Sequence, residues 1–142
     1  MLYANDNHPY RTATSGGAGT GSGLNTMSVF PFSDDIDRVH WTDNSSTDGN
    51  NLTPKGFTWL RTRFAEGVYI DVYNLHTNAG DSDAALSGRR SNILQTVDYI
   101  GSHSAGRAVL VFGDTNTRYT RSGGPSHPRF TASSISSAPS FG

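Results

Sequence analysis

Apolar and polar residues alternate from Phe57 to Phe64, with Phe57, Trp59, Arg61 and Arg63 set against Thr58, Leu60, Thr62 and Phe64. A period of two is the mark of a strand. Glu66-Gly67 then supplies turn chemistry, and Val68 to Leu75 reads as a second strand. The pair predicts an antiparallel hairpin. The period lengthens over Asp81 to His103, where Leu86, Arg90, Ile93, Leu94, Val97 and Ile100 recur at intervals of three and four. That spacing predicts a helix with one stripe facing the core. Ser82 or Asp83 is placed to cap its start, and Gly101 or Gly106 to end it. Ala108 to Phe112 is an unbroken apolar run, which predicts a strand buried on both faces. Strand, helix and strand in succession suggest a crossover unit with neighbouring parallel strands. The expected class is α/β or α+β: a mixed β-sheet with one long helix packed on it.

The flanks are less patterned. Leu24, Met27, Val29 and Phe30 give a moderate strand signal within Ser22 to Phe32, limited by Pro31. Ser33 to Lys55 is acidic and rich in Asn, Ser and Thr, and reads as a long surface loop. The glycine-rich tract from Ser15 to Gly21 has no Gly-Lys-Ser/Thr ending and no preceding strand, so it reads as a turn and not as a phosphate loop. From Ser122 the apolar periodicity stops. Residues 1–121 are therefore expected to form the folded part and 122–142 a disordered tail rich in Ser, Pro and Gly.

Composition narrows the function classes. The chain has 142 residues and a net charge of -1. That is enough for one domain with a modest core, and it gives no electrostatic footprint for non-specific nucleic-acid binding. There is no cysteine, which excludes disulfides and thiolate metal sites. No segment is apolar enough to span a membrane, and the first residues lack the basic and apolar regions of a signal peptide. Asn44-Ser45-Ser46 and Asn51-Leu52-Thr53 fit the glycosylation acceptor pattern, which matters only for a secreted protein. No obligate protein partner is evident.

Chemistry gathers where the predicted strands end. Gly113 closes the apolar run, and Asp114 and Asn116 follow on the same side by strand alternation. The second hairpin strand ends in Asn74-Leu75-His76. Carboxyl ends of buried strands are where α/β proteins usually hold ligands. A carboxylate, an amide and an imidazole suit a hard divalent cation and a phosphoryl group. Gly-Asp-Thr-Asn is equally good turn composition, and spacing alone does not decide between the two. Arg118 and Arg121 could reach phosphate or be exposed loop arginines. His8, His40, His103 and His127 have no motif around them and read as solvated. Trp41, Trp59, Tyr69, Tyr73 and Tyr99 read as packing residues.

Three segments carry a family resemblance: Val72 to Gly80, Arg89 to Ile100, and Val109 to Arg118. Together they resemble the endonuclease/exonuclease/phosphatase superfamily, with its DNase I-like fold, and in particular a fungal neutral-sphingomyelinase-like branch. Ser22-Gly23-Leu24-Asn25-Thr26-Met27-Ser28 resembles the family's early strand. The resemblance covers roughly residues 3 to 121, and Asn74-Leu75-His76 and Gly113-Asp114-Thr115-Asn116 are its most specific parts. It implies a partial DNase I-like sandwich and a Mg²⁺-dependent phosphodiesterase acting on a phospholipid head group or a nucleic acid. Asp114 would contact the metal and orient or activate water. Asn116 would hydrogen-bond a phosphate oxygen or the metal's shell, and His76 would donate to the developing charge. Asn74 and Arg118 are the implied substrate-binding residues.

The sequence departs from the family pattern in two places. The family's metal-binding glutamate belongs to a Gln-Glu-type motif after the first strand, whereas Glu66, the only glutamate, lies in the hairpin turn. The closing Asp-His pair also has no counterpart, since His127 sits between Ser126 and Pro128. Against that pattern the chain reads as the middle of such a domain with an incomplete site.

Overall fold

In the computed structural model, residues 5–14, 21–44 and 54–117 are described. The expected tail at 122–142, most of the glycine tract, Arg118, Arg121, His127 and the sequon residues Ser45, Ser46 and 51–53 lie outside them.

Chain order gives β1 (Tyr10–Arg11), β2 (Met27–Ser28), β3 (Asp37–His40), β4 (Gly56–Ala65), β5 (Val68–His76), helix α1 (Asp83–His103) and β6 (Ala108–Asp114). The predicted hairpin is present. β4 and β5 pair antiparallel from Phe57 opposite Leu75 to Arg63 opposite Tyr69, with a register shift before Ala65. Gly67 takes φ +72° in the turn, a conformation natural to glycine. The crossover is also present, with β6 parallel to β5. β3 adds antiparallel on the far side of β4, and the sheet order is β3-β4-β5-β6. β1 and β2 form a separate two-stranded pair. The mixed sheet carrying one long helix is the class expected from the sequence.

Alternation divides the sheet into two faces. Asp71, Tyr73 and Leu75 face α1, as do their partners Arg61, Trp59 and Phe57. The core on that side is aromatic: Trp41, Phe57, Tyr73 and Leu75 are each at most 4% exposed, with Tyr99 and Ile100 of α1 packed against them. Phe57 meets Trp41 at 5.4 Å and the edge of Tyr99 at 5.0 Å between ring centroids. On the other face Thr58, Leu60, Thr62 and Asn74 are buried. The Asn25–Thr26 segment reaches that face and accepts hydrogen bonds from the Asn74 amide.

Several expectations are corrected. Ser33 to Lys55 is more than surface loop: it contains β3, and Trp41 and Lys55 are buried. The helix buries Ala85, Gly88, Arg89, Asn92 and Thr96, and leaves Leu94 and Val97 of the apolar stripe 58% and 55% exposed. Hydrogen bonding chose the buried face. Arg89 donates to the carbonyls of Asn78 and Gly80, and Asn92 donates to that of Asp43. Finally, among the described residues β6 lies at the edge of the sheet. Leu110, Val111 and Phe112 are 42–48% exposed, because among the described residues only β5 flanks the strand. Trp59 and Tyr99 are half-buried, as packing residues should be, but Tyr69 on the hairpin is exposed. His40 is exposed, His8 is half-buried and pairs with the Asp6 carboxylate, and His103 stacks on the Tyr99 ring at 3.7 Å. The helix starts at a Ser82 cap, and Gly106, at φ +71°, lies in the turn beyond its end.

Candidate active site

Parallel pairing of β5 with β6 sets Asn74 opposite Phe112, Leu75 opposite Gly113 and His76 opposite Asp114. The last pair therefore share one face at the carboxyl ends of adjacent strands. His76 Nε2 lies 3.6 Å from Asp114 Oδ2, with the side chains 30% and 63% exposed. Gly113 makes this close approach possible. A Cβ there would sit 2.0 Å from the Leu75 carbonyl oxygen, and its φ of +132° suits glycine alone.

Two loops leave these strand ends and are tied to each other. The Thr77 amide donates to the Asp114 carbonyl at 3.0 Å, and the Thr77 hydroxyl to the Thr115 carbonyl at 2.6 Å. In return the Asn116 amide nitrogen donates to the Thr77 carbonyl at 3.0 Å. Asn116 adopts φ +49° and its backbone N–H donates to Asp114 Oδ1 at 2.9 Å, an Asx turn. The turn reading of Gly-Asp-Thr-Asn is thus present in the structure, and this turn leaves Asp114 beside His76. Beyond Thr77, Asn78 is fully buried. Its amide N–H donates to Asn92 and its side chain to the Asp43 carbonyl, which anchors the loop to α1.

A residue that the motifs did not mark joins this cluster. Lys55, the only lysine in the chain, is 8% exposed at the start of β4. Burial pushes its ammonium pKa down and so does the charge of Arg89, against the opposing pull of Asp114. Burial and then the charge of Lys55 likewise hold the His76 imidazole below its usual value, again opposed by Asp114. The sequence signal that marks it is a lone lysine followed by glycine at the head of an apolar strand.

The other implied residues divide. Asn74 is buried and its amide is committed to the Asn25 carbonyl and the Thr26 hydroxyl, so it braces the sheet face beside the cluster. Arg118 is outside the described residues. As for a divalent cation, the described residues contain no group of three His, Cys, Asp or Glu side chains that could hold one. One exposed carboxylate with an amide beside it fits a magnesium ion that keeps most of its waters, and does not make a dedicated cage. No helix among the described residues is long and apolar enough to cross a membrane.

A mixed sheet with an outer helix is a DNase I-like arrangement, and solved structures share the fold. A beta-hairpin deletion mutant of beta toxin from Staphylococcus aureus superposes with a TM-score of 0.65 at 18% identity, covering 81% of this chain and 47% of the toxin chain. A second beta toxin crystal structure from that organism gives 0.64 at 18% identity, over 81% and 46%. The chain belongs to the endonuclease/exonuclease/phosphatase superfamily: the model of Endonuclease/Exonuclease/phosphatase family 2 matches residues 1–136. Proteins named sphingomyelinase in Mycobacterium tuberculosis and Mycobacterium bovis are 45% identical over 98 residues, which is 69% of this chain and 19% of theirs. The chain thus spans about a fifth of the length of these curated relatives.

Proposed function

We propose that this chain carries part of the active site of a magnesium-dependent phosphodiester hydrolase of the sphingomyelinase kind. The observation that supports this most is the side-by-side placement of His76 and Asp114 on adjacent parallel strands, with Lys55 charged nearby. Similarity to sphingomyelinases favours a phospholipid head group over a nucleic acid, and the net charge of -1 leans the same way.

Each residue then has a task. Asp114, the more exposed of the pair, would hold the ion and orient water beside it. A bound magnesium ion would supply Lewis-acid polarisation of a phosphoryl oxygen. His76, kept neutral by burial and by Lys55, donates its remaining ring N–H toward the oxygen on which charge develops. The Asn116 amide nitrogen is engaged with Thr77, which leaves its side-chain oxygen for the water shell of the ion. Lys55 supplies positive charge at close range, and its depressed pKa follows from the burial that makes that charge effective. Arg118 is assigned to substrate phosphate from the family pattern alone.

A second reading has its own observation. The donor set holds one carboxylate, and the described residues contain no cluster of metal ligands. On this reading the site of this chain is incomplete, and the chain is a non-catalytic phosphate-binding or interaction module. One experiment separates the two. Phosphocholine release from sphingomyelin vesicles, and nicking of plasmid DNA, are measured with and without Mg²⁺ for the chain and for Asp114→Ala. Turnover that needs both Mg²⁺ and Asp114 establishes the hydrolase. No turnover, with Mg²⁺ or inorganic phosphate binding that Asp114→Ala weakens, establishes the second reading. Equal behaviour of the two proteins in every assay removes Asp114 from both.

A further inference from the structure

Trp41 touches the main chains of both His76 and Lys55. Its indole N–H donates to the His76 carbonyl at 2.8 Å, and its backbone N–H donates to the Lys55 carbonyl at 3.2 Å. The side chain is buried and packs on the Phe57 ring. A buried indole N–H usually takes an acceptor, and the acceptor fixes how the ring lies. Trp41 is itself held from the helix. The Gln95 side-chain amide accepts from the Thr42 N–H at 3.0 Å and donates to the His40 carbonyl at 2.9 Å, so it grips both neighbours of the tryptophan. Asn92 donates to the Asp43 carbonyl at 3.0 Å, one residue further on. The ring is thus a post braced on α1, with its polar tip on the residue that ends β5. Packing alone does not require that tip: Trp59, on the same face of the sheet, has its indole nitrogen buried with no hydrogen-bond partner among the described residues.

We propose that Trp41 is a positioning residue of the site: its indole N–H holds the end of β5 so that the His76 imidazole keeps its place beside Asp114. This rests on the reading of His76 as the donor to the charge that develops in phosphodiester hydrolysis. The bond is made to the His76 main chain, so it fixes where the imidazole stands and leaves both ring nitrogens to other partners. The backbone bond to Lys55 ties the second cation-bearing residue to the same post, so one tryptophan registers β4 and β5 where the site is built. Reacting groups tolerate little error: a displacement of about 1 Å costs on the order of a hundredfold in rate. A contact made only in the transition state shows its loss in kcat and not in KM.

The full chain is used throughout. In the isotope-labelled protein, NMR should detect a scalar coupling across the hydrogen bond, between the Trp41 indole nitrogen and the His76 carbonyl carbon. Site-specific replacement of Trp41 by benzothienylalanine puts sulfur in place of the N–H in a ring of nearly the same shape. Phosphocholine release from sphingomyelin vesicles should then lose about tenfold or more in kcat, with KM changed by less than about twofold and the melting temperature nearly kept. The same replacement at Trp59, which gives up no hydrogen bond, should leave both constants unchanged. Trp41→Phe should repeat the loss of kcat with natural residues. Absence of the coupling overturns the proposal. So does a kcat that survives at position 41, or one that falls equally for position 59. If the unmodified chain releases no phosphocholine, the hydrolase reading fails by itself and the positioning role is decided by hydrogen exchange. The Thr77 amide, bonded to the Asp114 carbonyl, should then exchange faster after replacement at 41 and not after replacement at 59. Equal exchange in the two overturns the proposal.

Discussion

Arg61→Met tests whether the face toward α1 is held by a buried ion pair or only by its aromatics. The Asp71 side chain is fully buried. Arg61 grips it with two hydrogen bonds, at 2.7 and 3.0 Å, and the Ser104 hydroxyl adds a third at 2.7 Å. Ser104 also bonds the Tyr73 hydroxyl at 2.7 Å, so one carboxylate ties the sheet to the end of the helix. Removing Arg61 leaves that carboxylate uncompensated, a loss of about 3–5 kcal/mol for buried pairs. Arg61 itself is 27% exposed, so water replaces it in part and the lower end applies, about 3 kcal/mol. Losing its guanidinium from over the Trp59 ring, at 5.4 Å, adds a smaller amount. Asp71→Asn keeps the shape and the Ser104 bond and frees an arginine that can turn to water, so about 1–2 kcal/mol is expected. Urea unfolding followed by the fluorescence of Trp41 and Trp59 measures both. The pH dependence provides a second check. Burial alone would raise the Asp71 pKa, and the bonds from Arg61 and Ser104 outweigh it, so the folded value lies below the usual one. The stability it contributes is present above the unfolded value of about 3.9 and is lost as pH falls through the folded value. In Arg61→Met that balance reverses and protonation relieves the buried charge, so the deficit shrinks as pH falls from 7 toward 4. A deficit below about 1 kcal/mol at pH 7, or one that grows in acid, refutes the ion-pair account.

Other outcomes follow from the same contacts. NMR titration of His76 should give a midpoint below about 6.5, and Lys55→Met should move it upward; a downward move contradicts the coupling. Because the folded imidazole takes up a proton less readily than the unfolded one, His76 subtracts from stability as pH falls below that value. Gly113→Ala should cost more than about 2 kcal/mol in urea, while Gly67→Ala, also at positive φ but with no atom within 4 Å, should cost about 1 kcal/mol. Gly88→Ala places a Cβ 2.1 Å from Asn78 Nδ2, so hydrogen exchange at Thr77 and Asn78 should quicken even if the melting temperature changes little.

The hairpin, the helix and the final strand were legible because their periods are local properties of the chain. His76 and Asp114 were legible as a pair because both stand where an apolar run stops. What the sequence hid depended on partners far along the chain. The helix periodicity pointed Leu94 and Val97 inward, whereas the buried face was decided by Arg89 and Asn92 reaching loop carbonyls, which no periodicity records. Among the described residues the apolar run of β6 has a neighbour on one side alone, and apolarity states only what a strand can tolerate beside it. Lys55 was missed because its importance comes from burial next to His76 and Asp114, three strands' worth of chain brought together by pairing.

The site divides its bonds in a way that bears on how it can work. Thr77, Thr115, Asn116 and Asn78 spend their polar groups on one another and on main-chain atoms, fixing two loops at the strand ends. The charged groups are held far more loosely. Asp114 keeps Oδ2 outside any hydrogen-bond distance to His76, and its side chain is 63% exposed. Had the carboxylate and imidazole been locked together at hydrogen-bond length, each would have quenched the other and left little for a ligand. The frame residues are neutral and hold position without adding charge of their own, although Asn78 Oδ1 is buried with no hydrogen-bond partner, and the ionisable groups at the strand ends are His76 and Asp114. It follows that substitutions in the frame should alter how well His76 and Asp114 are placed without changing their chemistry, whereas substitutions at those two should change chemistry and leave the loops where they are.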